Sequence, residues 1–216
     1  MKIAYDRAQK AHKHDIKHEW LKENGHELID LPLPVGDYIL VTDEVAKVIA
    51  RRGDKLKKMD LLGVTKVTID TKQGLGEICN NICGPSHRRF RDEAILAQQN
   101  GIKFIVLIEH SRFINSLDDV EDWKNPRQWQ YEQKIRKQWG IPKSADFMTE
   151  VVKLRAHGAK ISRGPTTGPE LAKAMRTMAD EYSIVWEFCD KKETGCRIVE
   201  ILGDNGRCLD KRILTA

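Results

Sequence analysis

Five consecutive apolar residues, Phe104-Ile105-Val106-Leu107-Ile108, stand between the turn signal Asn100-Gly101 and Glu109. A strand with one wet face alternates apolar and polar side chains, so an unbroken run implies cover on both faces. The run predicts a central strand, and the rest of the chain must supply helices for both sides of the sheet.

Upstream, Ile3-Ala4-Tyr5 is a short strand ending on Asp6. A helix begins at about Asp15, with Ile16, Trp20 and Leu21 on one face and Asn24-Gly25 as its stop. The strand expected from His26 to Leu33 carries Pro32, with Pro34 just beyond, which places it at a sheet edge. Gly36-Asp37 opens a strand from Tyr38 to Thr42. A turn at Asp43-Glu44 and the run Val45 to Arg51 then suggest an antiparallel hairpin.

A basic loop from Arg51 to Lys58 leads to Lys66-Val67-Thr68-Ile69-Asp70-Thr71-Lys72. Alternate strand residues share a face, roughly 6.7 Å apart. Val67 and Ile69 then enter a core, while Thr68, Asp70 and Lys72 look out on the other side. Helices follow from Leu75, broken at Gly84-Pro85, and from Ser86 to Asn100, the second with Phe90, Ala94 and Ala97 as its apolar stripe. Beyond Gly164-Pro165-Thr166-Thr167-Gly168-Pro169, a helix from Glu170 to Tyr182, a strand from Ile184 to Cys189 and a helix around Arg197 to Leu202 complete the pattern. The alternation argues for a mixed α/β sandwich over 1–216, with a Trp-rich insertion at about 110–165.

Charged residues make up 32% of the chain and the formal net charge is +5, a balance that leans toward an anionic partner. No stretch approaches the roughly 18 apolar residues of a membrane span, and the start lacks the apolar core of a signal peptide. Five cysteines, Cys79, Cys83, Cys189, Cys196 and Cys208, read as reduced thiols, and the expected location is cytoplasmic.

The chemistry-bearing spacing is Asp70-x-Lys72, with Asp37 on a neighbouring strand. Mg²⁺ binds through one or two carboxylates while keeping water and substrate oxygens as its other ligands. Asp37 and Asp70 form such a minimal set, and Lys72 stands where it can neutralise charge on a phosphoryl group. The plainer alternative is a turn at Asp37 and an exposed cross-strand pair between Asp70 and Lys72.

The order Gly36-Asp37-Tyr38, Ile69-Asp70-Thr71-Lys72, an arginine-bearing helix and then Ile105-Val106-Leu107-Ile108-Glu109 resembles the XPF-type nuclease domain of the PD-(D/E)XK endonuclease superfamily. Gln73-Gly74-Leu75-Gly76-Glu77 and Ile184-Val185-Trp186-Glu187-Phe188-Cys189 look most like small phage and prophage members. The likeness covers roughly 1–110 and 166–205.

It implies a restriction-endonuclease-like fold and an Mg²⁺- or Mn²⁺-dependent endonuclease that cuts branched, flapped or single-stranded DNA in repair or recombination. A homodimer is compatible with it, in the cytoplasm of a bacterial host. Asp37 and Asp70 match the metal-binding acids, Lys72 the lysine, Asp6 an auxiliary acid and Glu77 a displaced one. Asp70 replaces the usual glutamate, Thr71 the usual arginine, and Gln9 stands near an expected glutamate. The alternative is a weak or inactive nuclease-fold module that binds DNA or a protein.

Arg88, Arg89 and Arg91 flank Phe90 and are candidate phosphate contacts. Cys79, Cys83 and His87 have a zinc-like spacing, but buried structural cysteines are the preferred reading because Gly84-Pro85 interrupts the helix. His12, His14 and His18 lie in a lysine-rich stretch read as solvated. Trp123, Trp129, Tyr131 and Trp139, interleaved with lysine and arginine, suit either unpaired bases or a helix packed on the core. No Gly-rich phosphate loop or nucleophile motif supports a small-molecule enzyme.

Overall fold

The computed structural model describes residues 1–9, 13–110 and 113–203; His12 and Cys208 lie outside them. Strands β1 (Lys2–Asp6), β2 (Glu27–Leu31), β3 (Tyr38–Leu40), β4 (Val67–Lys72), β5 (Lys103–Glu109) and β6 (Ile184–Cys189) form one sheet in the order β2-β1-β3-β4-β5-β6. The strand β3 is antiparallel to both its neighbours, β1 and β4. The pairs β1–β2, β4–β5 and β5–β6 are parallel. The expected α/β class, a mixed sheet flanked by helices, is what the chain adopts. The apolar run is central, Pro32 follows an edge strand, and both observations follow from the strand order.

Helices α1 (Asp15–Glu23) and α8 (Thr194–Gly203) cover one face, burying Leu21, Ile198, Ile201 and Leu202 against Ile3, Tyr38, Ile69, Ile105 and Leu107. On the other face lie α3 (Leu75–Ile82), α4 (His87–Gln99) and α7 (Gly168–Tyr182). They pack Ile78, Phe90, Ala94 and Met175 on Phe104, Val106 and Ile108. Alternate residues of β5 thus enter different cores, which is why the strand is apolar without a break from Phe104 to Ile108.

The expected hairpin at 38–51 is instead strand β3 followed by helix α2 (Asp43–Arg52). Thr42 is its N-cap, with the Val45 N–H donating to Oγ1 at 3.4 Å. Asp43 and Glu44 lie in its first turn and Arg51 and Arg52 in its last, matching the helix dipole at both ends. Val45 and Val48, one turn apart, pack against Ala4, Leu31 and Ile39. The β-branched residues that read as a strand form a single helical stripe.

Two further corrections concern α1 and β4. Ile16 is 57% exposed, while Lys17 joins Leu21 on the buried side; a charge four residues from a leucine takes the inward place. Every residue of β4 is buried. Thr68, Asp70 and Lys72 do not look out on solvent, because α3 and α4 cover that side.

Between β5 and α7, helices α5 (Arg127–Trp139) and α6 (Phe147–Ala156) share a small core of Ile135, Ile141, Phe147 and Val151. The tryptophans of α5 do not enter it. Trp129 is 68% exposed, whereas Trp123, before the helix, packs into the main core.

Candidate active site

The polar ends of β1, β3 and β4 converge on a cleft of about 300 Å³ lined by Asp6, Gln9, Asp37, Asp70, Lys72 and Glu77, with Lys13, His14, Arg89 and Glu93 at its walls. Tyr38 pairs with Ile69 across β3 and β4, so Asp37, one residue before β3, comes beside the end of β4. A backbone hydrogen bond from Asp37 N to Ile69 O, 2.7 Å, fixes that approach. Gly36 makes it feasible. Its φ is +70°, and a Cβ there would lie 2.3 Å from Thr68 Oγ1, so only glycine fits.

Asp37 is oriented by its neighbour strand. The Thr71 backbone N–H and hydroxyl both donate to Asp37 Oδ2, at 2.9 and 2.6 Å. Gln9 Nε2 donates to the Asp37 carbonyl at 3.1 Å.

Asp70 and Lys72 project together to the α4 side of the strand, their charged atoms 2.5 Å apart. Burial pushes the Asp70 carboxyl up to about 7; Lys72 opposes the shift, and the charges of Asp37 and Glu93 add to it. Burial alone would pull Lys72 down, but Asp70 and Asp37 hold its ammonium above the usual lysine range. The Lys72 Nζ also lies 5.8 Å from the centre of the Phe90 ring. The expected alternative of an exposed cross-strand pair does not hold: Asp70 and Lys72 are an ion pair, but a buried one on a single strand.

Asp70 Oδ2 is buried with the Lys72 ammonium as its partner, and the buried Gln9 Oε1 has no hydrogen-bond partner. An unpartnered oxygen acceptor in a cleft with two carboxylates suits a hard cation. The donor set fits Mg²⁺ or Mn²⁺ better than zinc, which prefers nitrogen and sulfur. No group of three or more His, Cys, Asp or Glu side chains poised to hold a metal ion occurs among the described residues.

The remaining acids are more committed. Asp6 Oδ1 accepts from Leu33 N–H at 3.1 Å, and burial raises its pKa despite the backbone donors. Glu77 accepts from Gln73 N–H at 2.9 Å and Lys13 Nζ at 3.1 Å. Burial works against its charge, but those donors hold the carboxyl below its usual range.

Of the three arginines, Arg89 lines the cleft. Arg88 is exposed and lies 3.9 Å from Asp92, and Arg91 pairs with Asp92 at 3.0 Å; neither lines it.

Three features escaped the sequence reading. Glu93 Oε1 accepts from Gly36 N–H at 2.9 Å, tying α4 to the Gly-Asp turn; its only signal was a place four residues after Arg89. His14 is buried, not solvated, and Tyr38 Oη lies 3.2 Å from its Nδ1 and 2.9 Å from His18 Nε2. Burial lowers the His14 pKa to about 4. Lys17 forms a buried ion pair with Glu109, which lets both charges sit inside. At the zinc-like spacing, Cys79 is half-buried but Cys83 is exposed, and His87 Nδ1 lies 2.9 Å from Ile82 O. The buried structural reading therefore fails for Cys83, which sits past the end of α3.

No family model matches the chain, and no curated protein matches it. Among solved structures, the chain is similar to XPF from Aeropyrum pernix at 13% identity and a TM-score of 0.45, over 94% of this chain and 60% of that one. It is also similar to XPF from Aeropyrum pernix in complex with DNA, at 14% identity and a TM-score of 0.47, over 98% of this chain and 66% of that one. The chain thus spans less than two thirds of the length of each.

Proposed function

We propose that the protein is a divalent-metal-dependent endonuclease that hydrolyses phosphodiester bonds in DNA, with branched, flapped or single-stranded substrates preferred. The observation that carries this reading is the convergence in one cleft of Asp37, oriented by Thr71, and a buried Asp70–Lys72 ion pair. A purely structural ion pair gains nothing from a second carboxylate that raises the pKa of the first. The order of these residues along the chain, which resembles the XPF-type domain, supports the same reading.

Asp37 and Asp70 would hold the cation. Bound there, Mg²⁺ or Mn²⁺ supplies Lewis-acid polarisation of a phosphoryl oxygen and a bound water of lowered pKa. Thr71 fixes one carboxylate, and Asp70, whose burial holds its carboxyl pKa up at about 7, would release its proton to solvent as a cation bound. Lys72, charged throughout the physiological range, is placed to stabilise negative charge on a phosphoryl oxygen. Arg89 at the cleft wall is suited to a neighbouring phosphate, where it would fix strand position without reading sequence. Arg88 and Arg91 are suited only to contacts farther along a bound strand.

Calorimetric titration with Mn²⁺ tests the metal assignment. The parent chain is expected to bind Mn²⁺ and Asp70→Ala to lose the binding; a parent that takes up no Mn²⁺ contradicts it.

A further inference from the structure

Helix α4 brings two charged side chains to the wall of the Asp37–Asp70 cleft, Arg89 and, one turn on, Glu93. The ion pairs of α4 join Arg88 and Arg91 to Asp92. Glu93 has no ion pair among the described residues. Its hydrogen bond runs to the backbone, where Oε1 accepts from Gly36 N–H at 2.9 Å.

Gly36 is the pivot of the Asp37 turn, since its left-handed φ of +70° and the close approach of Thr68 leave no room for a Cβ. The next N–H, that of Asp37, donates to Ile69 O at 2.7 Å, and Thr71 then orients the Asp37 carboxylate. Those three contacts all belong to β4. Glu93 supplies a separate anchor, from a helix, on the residue before Asp37.

That anchor is charged where a neutral one would serve, because an amide or hydroxyl oxygen also accepts from an N–H. The carboxylate instead places negative charge close enough to act on Asp70. Such a charge is unfavourable beside Asp37 and Asp70 alone and favourable once a cation lies between them. We propose that Glu93 is a positioning residue of the cation site: Oε1 fixes the Gly36–Asp37 turn, and its charge adds to the attraction of Asp37 and Asp70 for a divalent metal from outside the ligand set. The inference rests on the metal reading of Asp37 and Asp70.

Two variants of the full chain separate the anchor from the charge. Glu93→Gln keeps an acceptor oxygen for Gly36 and loses the charge; Glu93→Ala loses both. In EDTA, amide hydrogen exchange at Gly36, referred to Ile105 in the central strand, is expected to quicken about tenfold in Glu93→Ala and to stay within about twofold of the parent in Glu93→Gln. In calorimetric titration, Glu93→Gln is expected to bind Mn²⁺ about tenfold more weakly than the parent, and Glu93→Ala more weakly still. A side chain that only braced the fold would leave Mn²⁺ affinity intact in Glu93→Gln. The proposal is overturned if Glu93→Gln binds Mn²⁺ as tightly as the parent, or if Glu93→Ala leaves Gly36 exchange unchanged. Either result with a parent that binds Mn²⁺ removes the Glu93 assignment alone, whereas a parent that takes up no Mn²⁺ removes the metal reading and this assignment together.

Discussion

Thr71 holds Asp37: its backbone N–H and its hydroxyl both donate to Asp37 Oδ2, at 2.9 and 2.6 Å. The two bonds make a short neutral clamp that orients one carboxylate. Thr71→Val keeps the shape and the backbone donor but loses the hydroxyl. It is expected to cost about 1 kcal/mol in urea unfolding and to weaken Mn²⁺ binding several-fold. Unchanged Mn²⁺ affinity means that the clamp has no part in holding a metal.

Gly36→Ala meets two obstacles at once, a left-handed φ and a Cβ 2.3 Å from Thr68 Oγ1. The strand approach cannot widen without breaking the hydrogen bond from Asp37 N to Ile69 O. A loss of about 2 kcal/mol or more is expected in thermal or urea unfolding, with DNA cleavage falling in step. A variant as stable as the parent shows that the turn relaxes freely.

Acid should loosen the protein through His14. Burial depresses its folded pKa to about 4, below the usual histidine value of about 6.5. Its contribution is therefore complete above the unfolded pKa and is lost as pH falls from about 6.5 toward 4. His14→Gln is expected to flatten unfolding free energy against pH in that window. An unchanged slope means that other groups govern acid unfolding.

The fold was far more legible in the sequence than the interior polar groups. The run from Phe104 to Ile108 announced a central strand because both its faces are covered, and Phe90, Ala94 and Ala97 announced the inward face of α4. Val45 and Val48 misled because β-branched residues favour strands in isolation, whereas here the Thr42 cap and the end charges set a helix. That Asp37, Asp70 and Lys72 meet in one cleft was legible from spacing and order. His14, Lys17 and Glu93 were not, because each sits in a polar stretch and owes its place to partners far along the chain. Lys17 meets Glu109 across 92 positions, a distance over which no local pattern carries information.

That pair makes a sharp test of interior electrostatics. Lys17 and Glu109 are each 5% exposed, and removing one partner strands the other charge. Lys17→Met alone is expected to cost about 3–5 kcal/mol. The double variant Lys17→Met, Glu109→Leu is expected to recover most of that loss. If the double variant is as unstable as the sum of the two single changes, the charges do not compensate each other.

The most direct measurement is cleavage of single-strand, flap, fork and four-way-junction DNA by the parent chain and by Asp70→Ala in Mg²⁺. The parent is expected to cut at least one branched or single-stranded substrate, to stop when EDTA is added, and to lose about a hundredfold or more in rate on Asp70→Ala with its fold intact. Cleavage by Asp70→Ala at the parental rate contradicts the account.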